Sequence, residues 1–118
     1  MISTARAQFR LIRLTEPLDY LALAHLMQRA EIVITDSGGL QKEAYFLRKP
    51  SVILRAETEW TEIVDTGYAV CADADKEDII NSTMKLLGFP LPEYQELYGD
   101  GEASVNIVQS LITFLNLK

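Results

Sequence analysis

Between Ile32 and Glu43 the chain reads IVITDSGGLQKE, and this stretch limits the possible folds more than any other. Ile32, Val33 and Ile34 form a short apolar run rich in β-branched side chains, which predicts a buried strand. Thr35-Asp36-Ser37 offers hydroxyl and carboxylate groups able to cap a helix, and Gly38-Gly39 removes side chains at the turn that follows. From Leu40 the pattern is helical, with Leu40, Ala44 and Leu47 on one face. A strand passing through Ser-Gly-Gly into a helix gathers unpaired backbone N–H groups and the positive end of the helix dipole at one point. That point suits a phosphate held by Ser37, Gly38 and Gly39. Glu43, one turn into the helix, is placed to bond neutral hydroxyls, such as those of a ribose, beside it. Taken alone, the three residues fit an ordinary capped helix start equally well, and neither GxGxxG nor GxxxxGK[ST] is present.

The rest of the chain continues the alternation of strand and helix. Residues 1–8 read as the end of a helix, and Phe9 to Leu14 (FRLIRL) alternates as a strand does. Pro17 suits entry into a helix over Leu18–Arg29 whose Tyr20, Leu21, Leu23, Ala24, Leu26 and Met27 leave little polar face, which predicts packing on a sheet. Arg48-Lys49-Pro50 stops the central helix, and Ser51–Leu54 is the next apolar strand. A helix begins in Ala56–Glu62, with Thr58 as its cap, and Gly67 closes it. Tyr68–Ala72 is a further strand. The helix after Asp73-Ala74-Asp75 is expected to turn Ile79, Ile80, Met84 and Leu87 inward, until Gly88-Phe89-Pro90 ends it. After the turn Tyr98-Gly99-Asp100-Gly101, a last helix carries apolar residues on more than one face. Repeat units of roughly twenty residues predict a Rossmann-like α/β domain, a parallel sheet with helices on both faces. At 118 residues and 13.3 kDa, one domain over residues 1–118 is expected.

Composition removes several function classes. The net charge of -6 and pI near 4.7 argue against nucleic acid as the main partner. They leave room for a small anionic ligand, since a helix start and one arginine make a local positive site. No apolar run reaches membrane-spanning length, and Met1-Ile2-Ser3-Thr4 has no signal-peptide pattern, so a membrane partner is not expected and a cytoplasmic setting is. The single Cys71 reads as a buried structural thiol. His25, the only histidine, stands mid-helix with no ligand spacing around it; neither metal nor cofactor is expected. Arg55 falls where a strand ends, the side of an open α/β sheet on which Ser37 also lies and where ligands gather. It suits a diphosphate, or is an ordinary surface arginine. Glu57, Glu59 and Glu62 invite an acid/base reading, but helix-dipole stabilisation explains them without chemistry.

Three strings carry a resemblance: TDSGGLQKEAYFLRKP, then LRAETEW, then YGDGEAS. In that order they resemble the second domain of the non-hydrolysing UDP-N-acetylglucosamine 2-epimerases, and the likeness covers nearly the whole chain. The resemblance implies part of the second domain of a glycosyltransferase-B-type fold, in which two Rossmann-like domains hold a nucleotide sugar between them. It implies UDP or a UDP-N-acetyl sugar as ligand, with Ser37, Gly38 and Gly39 on the diphosphate and Glu43 on the ribose. The backbone at Leu18 and the side chain of Leu23 would border the uracil. TEW and QKEAYF are similar to the branch acting on UDP-sugars of surface-polysaccharide pathways. Many relatives carry an arginine where Trp60 stands; Trp60 either walls the sugar pocket or packs. Lys42, where many relatives have an acid, adds a cation nearby. Relatives usually show asparagine at the Ala69 position and glycine at Asp73. The family's chemistry, elimination of UDP and its re-addition, draws on carboxylates of the first domain and on a histidine motif that His25 does not match. The expectation is therefore a chain without the N-terminal catalytic domain, which binds but does not catalyse. The alternative is a non-catalytic UDP-sugar module or glycosyltransferase donor domain. The apolar last helix would need cover, from the missing domain, by folding back over its own sheet, or by homo-oligomerisation.

Overall fold

The computed structural model describes residues 11–115. The helix expected over residues 1–8, the start of the FRLIRL strand and Leu117 lie outside them. Three strands, β1 (Val33–Thr35), β2 (Ser51–Ile53) and β3 (Ala69–Cys71), form one parallel sheet in the order β1-β2-β3. Each is three residues long, and Val33 pairs with Ser51, which pairs with Ala69. Beyond the strand ends the chains stay bonded: Leu54 N–H donates to Thr35 C=O (2.9 Å) and Ala72 N–H to Ile53 C=O (2.9 Å). Central β2 is buried at every residue, as an apolar run without alternation requires in a parallel sheet. The described part of FRLIRL, Leu11–Leu14, is not a strand. Alternation supplies local preference but not the neighbouring ladder that a strand needs.

Around the sheet run α1 (Tyr20–Arg29), α2 (Gly38–Phe46), α3 (Thr61–Thr66), α4 (Lys76–Gly88) and α5 (Ala103–Phe114). The parallel sheet with helices around it is the Rossmann-like arrangement expected. Asp19, not Pro17, sets the start of α1, its carboxylate accepting from Ala22 N–H at 2.8 Å. The helix does not bury its apolar surface as expected: only Met27 is buried, and Leu21 is 77% exposed. The buried stripe of α2 is Gln41, Ala44 and Tyr45, one position round from the expected face.

Two turns fix the helix ends. At the end of α2, Lys49 N–H donates to Ala44 C=O (2.9 Å) and Arg48 N–H to Tyr45 C=O (2.9 Å), a Schellman closure with Arg48 at φ 58°. That left-handed position favours glycine. Here an arginine occupies it, with its guanidinium 4.6 Å from the centre of the Tyr94 ring. At the end of α3, Gly67 adopts φ 87°, and a Cβ there would stand 3.0 Å from Pro92 Cγ. Asp73 takes φ 50° just past β3; aspartate is among the few non-glycine residues that tolerate it.

The core is an aromatic cluster at the sheet. Tyr45, Ile53, Ile63, Tyr68 and Ala69 are buried together, with Trp60, Val64, Leu91, Tyr94, Leu97 and Tyr98 packed against them. Tyr45 stacks on Tyr94 (centroids 4.9 Å apart) and meets Tyr68 edge-on at 5.3 Å. The Tyr45 hydroxyl donates to Gln95 C=O (2.5 Å) and accepts from Gln95 N–H (3.3 Å), while Tyr68 Oη donates to Pro92 C=O (3.1 Å). These bonds strap the irregular segment after α4 across the core. Burial pushes the Tyr94 phenol and the half-buried Cys71 thiol up from their ordinary values.

The later helices depart from expectation. Ile80, Met84 and Leu87 of α4 are exposed, and among its residues none is buried. The apolar positions of α4 occupy two sides, and this sheet covers only one. In α5 no residue is buried, and Phe114 is 82% exposed. The radius of gyration is 18.3 Å, against about 13.5 Å for a compact chain of this length.

Candidate functional site

The three parallel strands deliver their carboxyl ends to one side of the sheet, and the loops leaving them are joined there. Leu54 N–H is bonded to Thr35 C=O, and Asp73 N–H donates to Arg55 C=O at 3.2 Å. Ser37, two residues past β1, and Arg55, two past β2, therefore stand at the same end. Ser37 caps α2: its Oγ accepts from Leu40 N–H (3.3 Å), and its own N–H donates to the Thr35 hydroxyl (3.0 Å). Gly38 and Gly39 form the first helical turn itself rather than a turn before it. Neither has a positive φ, so glycine is not needed there for backbone conformation. Among the described residues their N–H groups have no partner, as at an open helix start.

The loop between β2 and α3 lies over this helix start. Thr58 does not cap a helix; its hydroxyl accepts from Trp60 N–H (3.1 Å) and donates to Gln41 Oε1 (2.5 Å). The indole N–H of Trp60 donates to Gly38 C=O at 2.9 Å. Glu59 and Arg55 form an ion pair with contacts of 2.9 and 3.0 Å. A Cβ built on Gly38 would meet the Glu59 carboxylate oxygens at 3.6 and 3.7 Å and Trp60 Nε1 at 3.7 Å. A hydrogen bond from its own backbone N–H, then the Arg55 guanidinium, hold the Glu59 carboxyl below its ordinary value. Of the three glutamates assigned to the α3 dipole, only Glu62 lies in the first turn of that helix. Glu62 accepts from Tyr98 Oη at 2.7 Å, which lowers its own pKa first of all; desolvation, then that same bond, raises the phenol. Lys42, expected as a cation near the phosphate, sits 4.7 Å from the Trp60 ring centre and 4.4 Å from that of Tyr98.

Further along α2, Glu43 faces α1 across a cavity of about 90 Å³ lined also by Tyr20, Ala24, Met27, Phe46 and Leu47. Leu23 is half-buried on α1, and Leu18 is exposed just before it; neither lines that cavity. The structure thus brings Ser37, Gly38, Gly39, Arg55 and Trp60 into one cluster and sets Glu43 one turn away, against the helix that carries Leu23. Two residues went unread in the sequence. Glu59 was assigned to a helix dipole, although its spacing of four from Arg55 allowed a pair. Gln41, fully buried, ties the loop down through Thr58, while its Nε2 has no partner among the described residues. No cluster of metal-ligating side chains, and no helix long and apolar enough to cross a membrane, occurs among the described residues.

The family profile described as UDP-N-acetylglucosamine 2-epimerase matches residues 1–112. Among curated relatives, the UDP-2,3-diacetamido-2,3-dideoxy-D-glucuronate 2-epimerase of Pseudomonas aeruginosa is 41% identical over 100 residues, 85% of this chain. A UDP-N-acetylglucosamine 2-epimerase homolog of Methanococcus maripaludis is 42% identical over 101 residues, again 85% of this chain. The chain spans 28% of the length of each. Among solved structures, the UDP-GlcNAc 2-epimerase from Neisseria meningitidis bound to UDP-GlcNAc superposes with a TM-score of 0.82 at 33% identity, over 95% of this chain and 32% of that one. MnaA from S. aureus, in a co-structure with UDP, gives 0.80 at 30% identity, over 99% and 34%.

Proposed function

The chain belongs to the UDP-N-acetylglucosamine 2-epimerase family, and from that premise we propose that it grips the UDP part of a UDP-N-acetyl sugar. The observation that carries this reading is the open start of α2, with two unpartnered glycine amides behind the Ser37 cap and Arg55 on the same sheet end. In this reading Ser37, Gly38 and Gly39 hold the diphosphate with help from Arg55, and Glu43 takes the ribose hydroxyls. Leu18 and Leu23 border the base, and Trp60 walls the sugar. The relatives solved with UDP-GlcNAc or UDP support the ligand class. The relative named for UDP-2,3-diacetamido-2,3-dideoxy-D-glucuronate supports a diacetamido-uronic acid form as the sugar.

The contribution to chemistry follows from charge. In C2 epimerisation by loss and re-addition of UDP, the pyrophosphate gains negative charge as its bond to the sugar breaks. Amides already aimed at it bind the transition state more strongly than the ground state. Of the groups that could serve as base or acid, His25 lies on α1, and among the described residues Glu59 and Glu62 are engaged by Arg55 and Tyr98. The purified chain is accordingly expected to bind UDP-N-acetylglucosamine without turnover. Mannosamine-form product detected by NMR from contaminant-free chain overturns this part of the reading.

The same reading includes self-association of the isolated chain. Val105, Ile107, Val108, Leu111, Phe114 and Leu115 are all more than half exposed on α5. Each leucine-sized side chain covered contributes roughly 1.5–3 kcal/mol, enough in combination to hold a dimer against the entropy of association. Sedimentation equilibrium is expected to show a mass rising with loading concentration, and Leu111→Glu with Leu115→Glu to return it to the monomer. A constant monomer mass for the unmodified chain excludes it.

A further inference from the structure

The loop from Arg55 to Trp60 is fastened to α2 on both sides of Glu59. Thr58 bonds Gln41 at one anchor, and Trp60 bonds the carbonyl of Gly38 at the other. Between them the Glu59 carboxylate reaches the place a side chain on Gly38 would take, 3.6–3.7 Å from that Cβ position. It does so in front of a nine-residue helix with no acidic residue in its own first turn. At the same time it holds Arg55 through contacts of 2.9 and 3.0 Å. A carboxylate set between a helix start and an arginine has the charge and the donors that a phosphate would seek there.

We propose that Glu59 is an affinity-determining residue of the nucleotide site: it competes with the incoming diphosphate for Arg55, and the ligand binds by exchange with it. The inference rests on the UDP reading of the α2 start. Arg55 and Glu59 have side chains 37% and 58% exposed, so their pair is screened by water and open to exchange. The anchors at Thr58 and Trp60 keep the loop in place during the exchange, so only the carboxylate need turn away. Uncharged ligands, which do not call on Arg55, bind without this competition.

The test is a double-mutant cycle on UDP affinity, measured by calorimetry on the whole chain, with Glu59→Gln, Arg55→Met and both together. Removing an exposed ion pair leaves the melting temperature close to that of the unmodified chain. Glu59→Gln is expected to tighten UDP binding about two- to fivefold, the range set by an exposed ion pair. Arg55→Met is expected to weaken it, and in the Arg55→Met background the gain from Glu59→Gln is expected to vanish. Unchanged or weaker binding in Glu59→Gln overturns the proposal, the weaker case marking Glu59 as a direct ligand contact. A full gain that persists without Arg55 overturns it too, since repulsion alone would then suffice. If the unmodified chain binds UDP and loses it in Gly38→Val, the site stands whatever Glu59 does. If the chain binds no UDP at millimolar concentration, both readings fall.

Discussion

Replacing Gly38 with valine is expected to abolish UDP binding, lowering affinity roughly ten- to a hundredfold, while leaving the fold intact. The Cβ itself fits, since its nearest neighbours on Glu59 and Trp60 would lie at ordinary contact distances of 3.6–3.7 Å. Gly38 has no positive φ, and helix interiors accept valine more readily than glycine. The two γ-methyls reach further, into the space between the helix start and Arg55, and keep a phosphate from the Gly38 and Gly39 amides. Charge-assisted hydrogen bonds of that kind each contribute about 1.5–3 kcal/mol, and losing one or two corresponds to the stated loss. Gly38→Ala, which adds only the Cβ, is expected to fall between. Calorimetry decides: equal UDP affinity in wild type and Gly38→Val means that the site lies elsewhere.

The largest effect on stability is expected at Tyr45. Its ring is 1% exposed and meets Tyr68, Tyr94 and Tyr98, and its hydroxyl both donates to and accepts from the backbone of Gln95. Tyr45→Ala is expected to cost about 3–5 kcal/mol, a large share of the 5–15 kcal/mol typical of a whole domain. Tyr45→Phe keeps the ring and removes only the hydroxyl's bonds to Gln95, whose carbonyl still accepts from Leu97 N–H (2.9 Å), costing about 1 kcal/mol. Urea unfolding followed by Trp60 fluorescence separates the two, because the indole packs against Tyr98 of the same cluster. A cost for Tyr45→Ala no greater than for Tyr45→Phe would show that the ring packing contributes little.

These two residues also mark what the sequence makes legible. The strand-cap-helix order around Gly38 is local chemistry, and β1, Ser37 and α2 formed within a residue or two of where it put them. β2 and β3 were readable for a similar reason: short apolar runs between helices in a parallel sheet are buried on both faces. Tyr45 was passed over because its partners are 23 to 53 residues distant, at Tyr68, Tyr94 and Tyr98, and nothing in its own neighbourhood announces them. The same limit applies to Glu59. Its charge and its place before a helix suggested a dipole role, whereas the loop carried it to Arg55 and Gly38. In sequence, α1 and α5 are apolar on broad faces, and the apolar spacing of α4 predicts Ile79, Ile80, Met84 and Leu87 turned inward. The step from apolar to buried failed, because burial needs a covering surface that periodicity does not supply.

The order of the strands bears on how the domain comes together in time. Both ladders join residues 18 positions apart, 33 with 51 and 51 with 69, and β2 is the shared member of both. The chain-closure entropy for the two pairings is therefore nearly equal, and neither has a head start from proximity. β1 and β3 have no ladder with each other, so no order of assembly can leave β2 until last. A transition state for folding must hold β2 against at least one neighbour, with α2 or α3 closing the loop between them. Val52 and Ile53 then become positions whose truncation slows folding, whereas truncations confined to one outer strand act mainly by hastening escape from the native state.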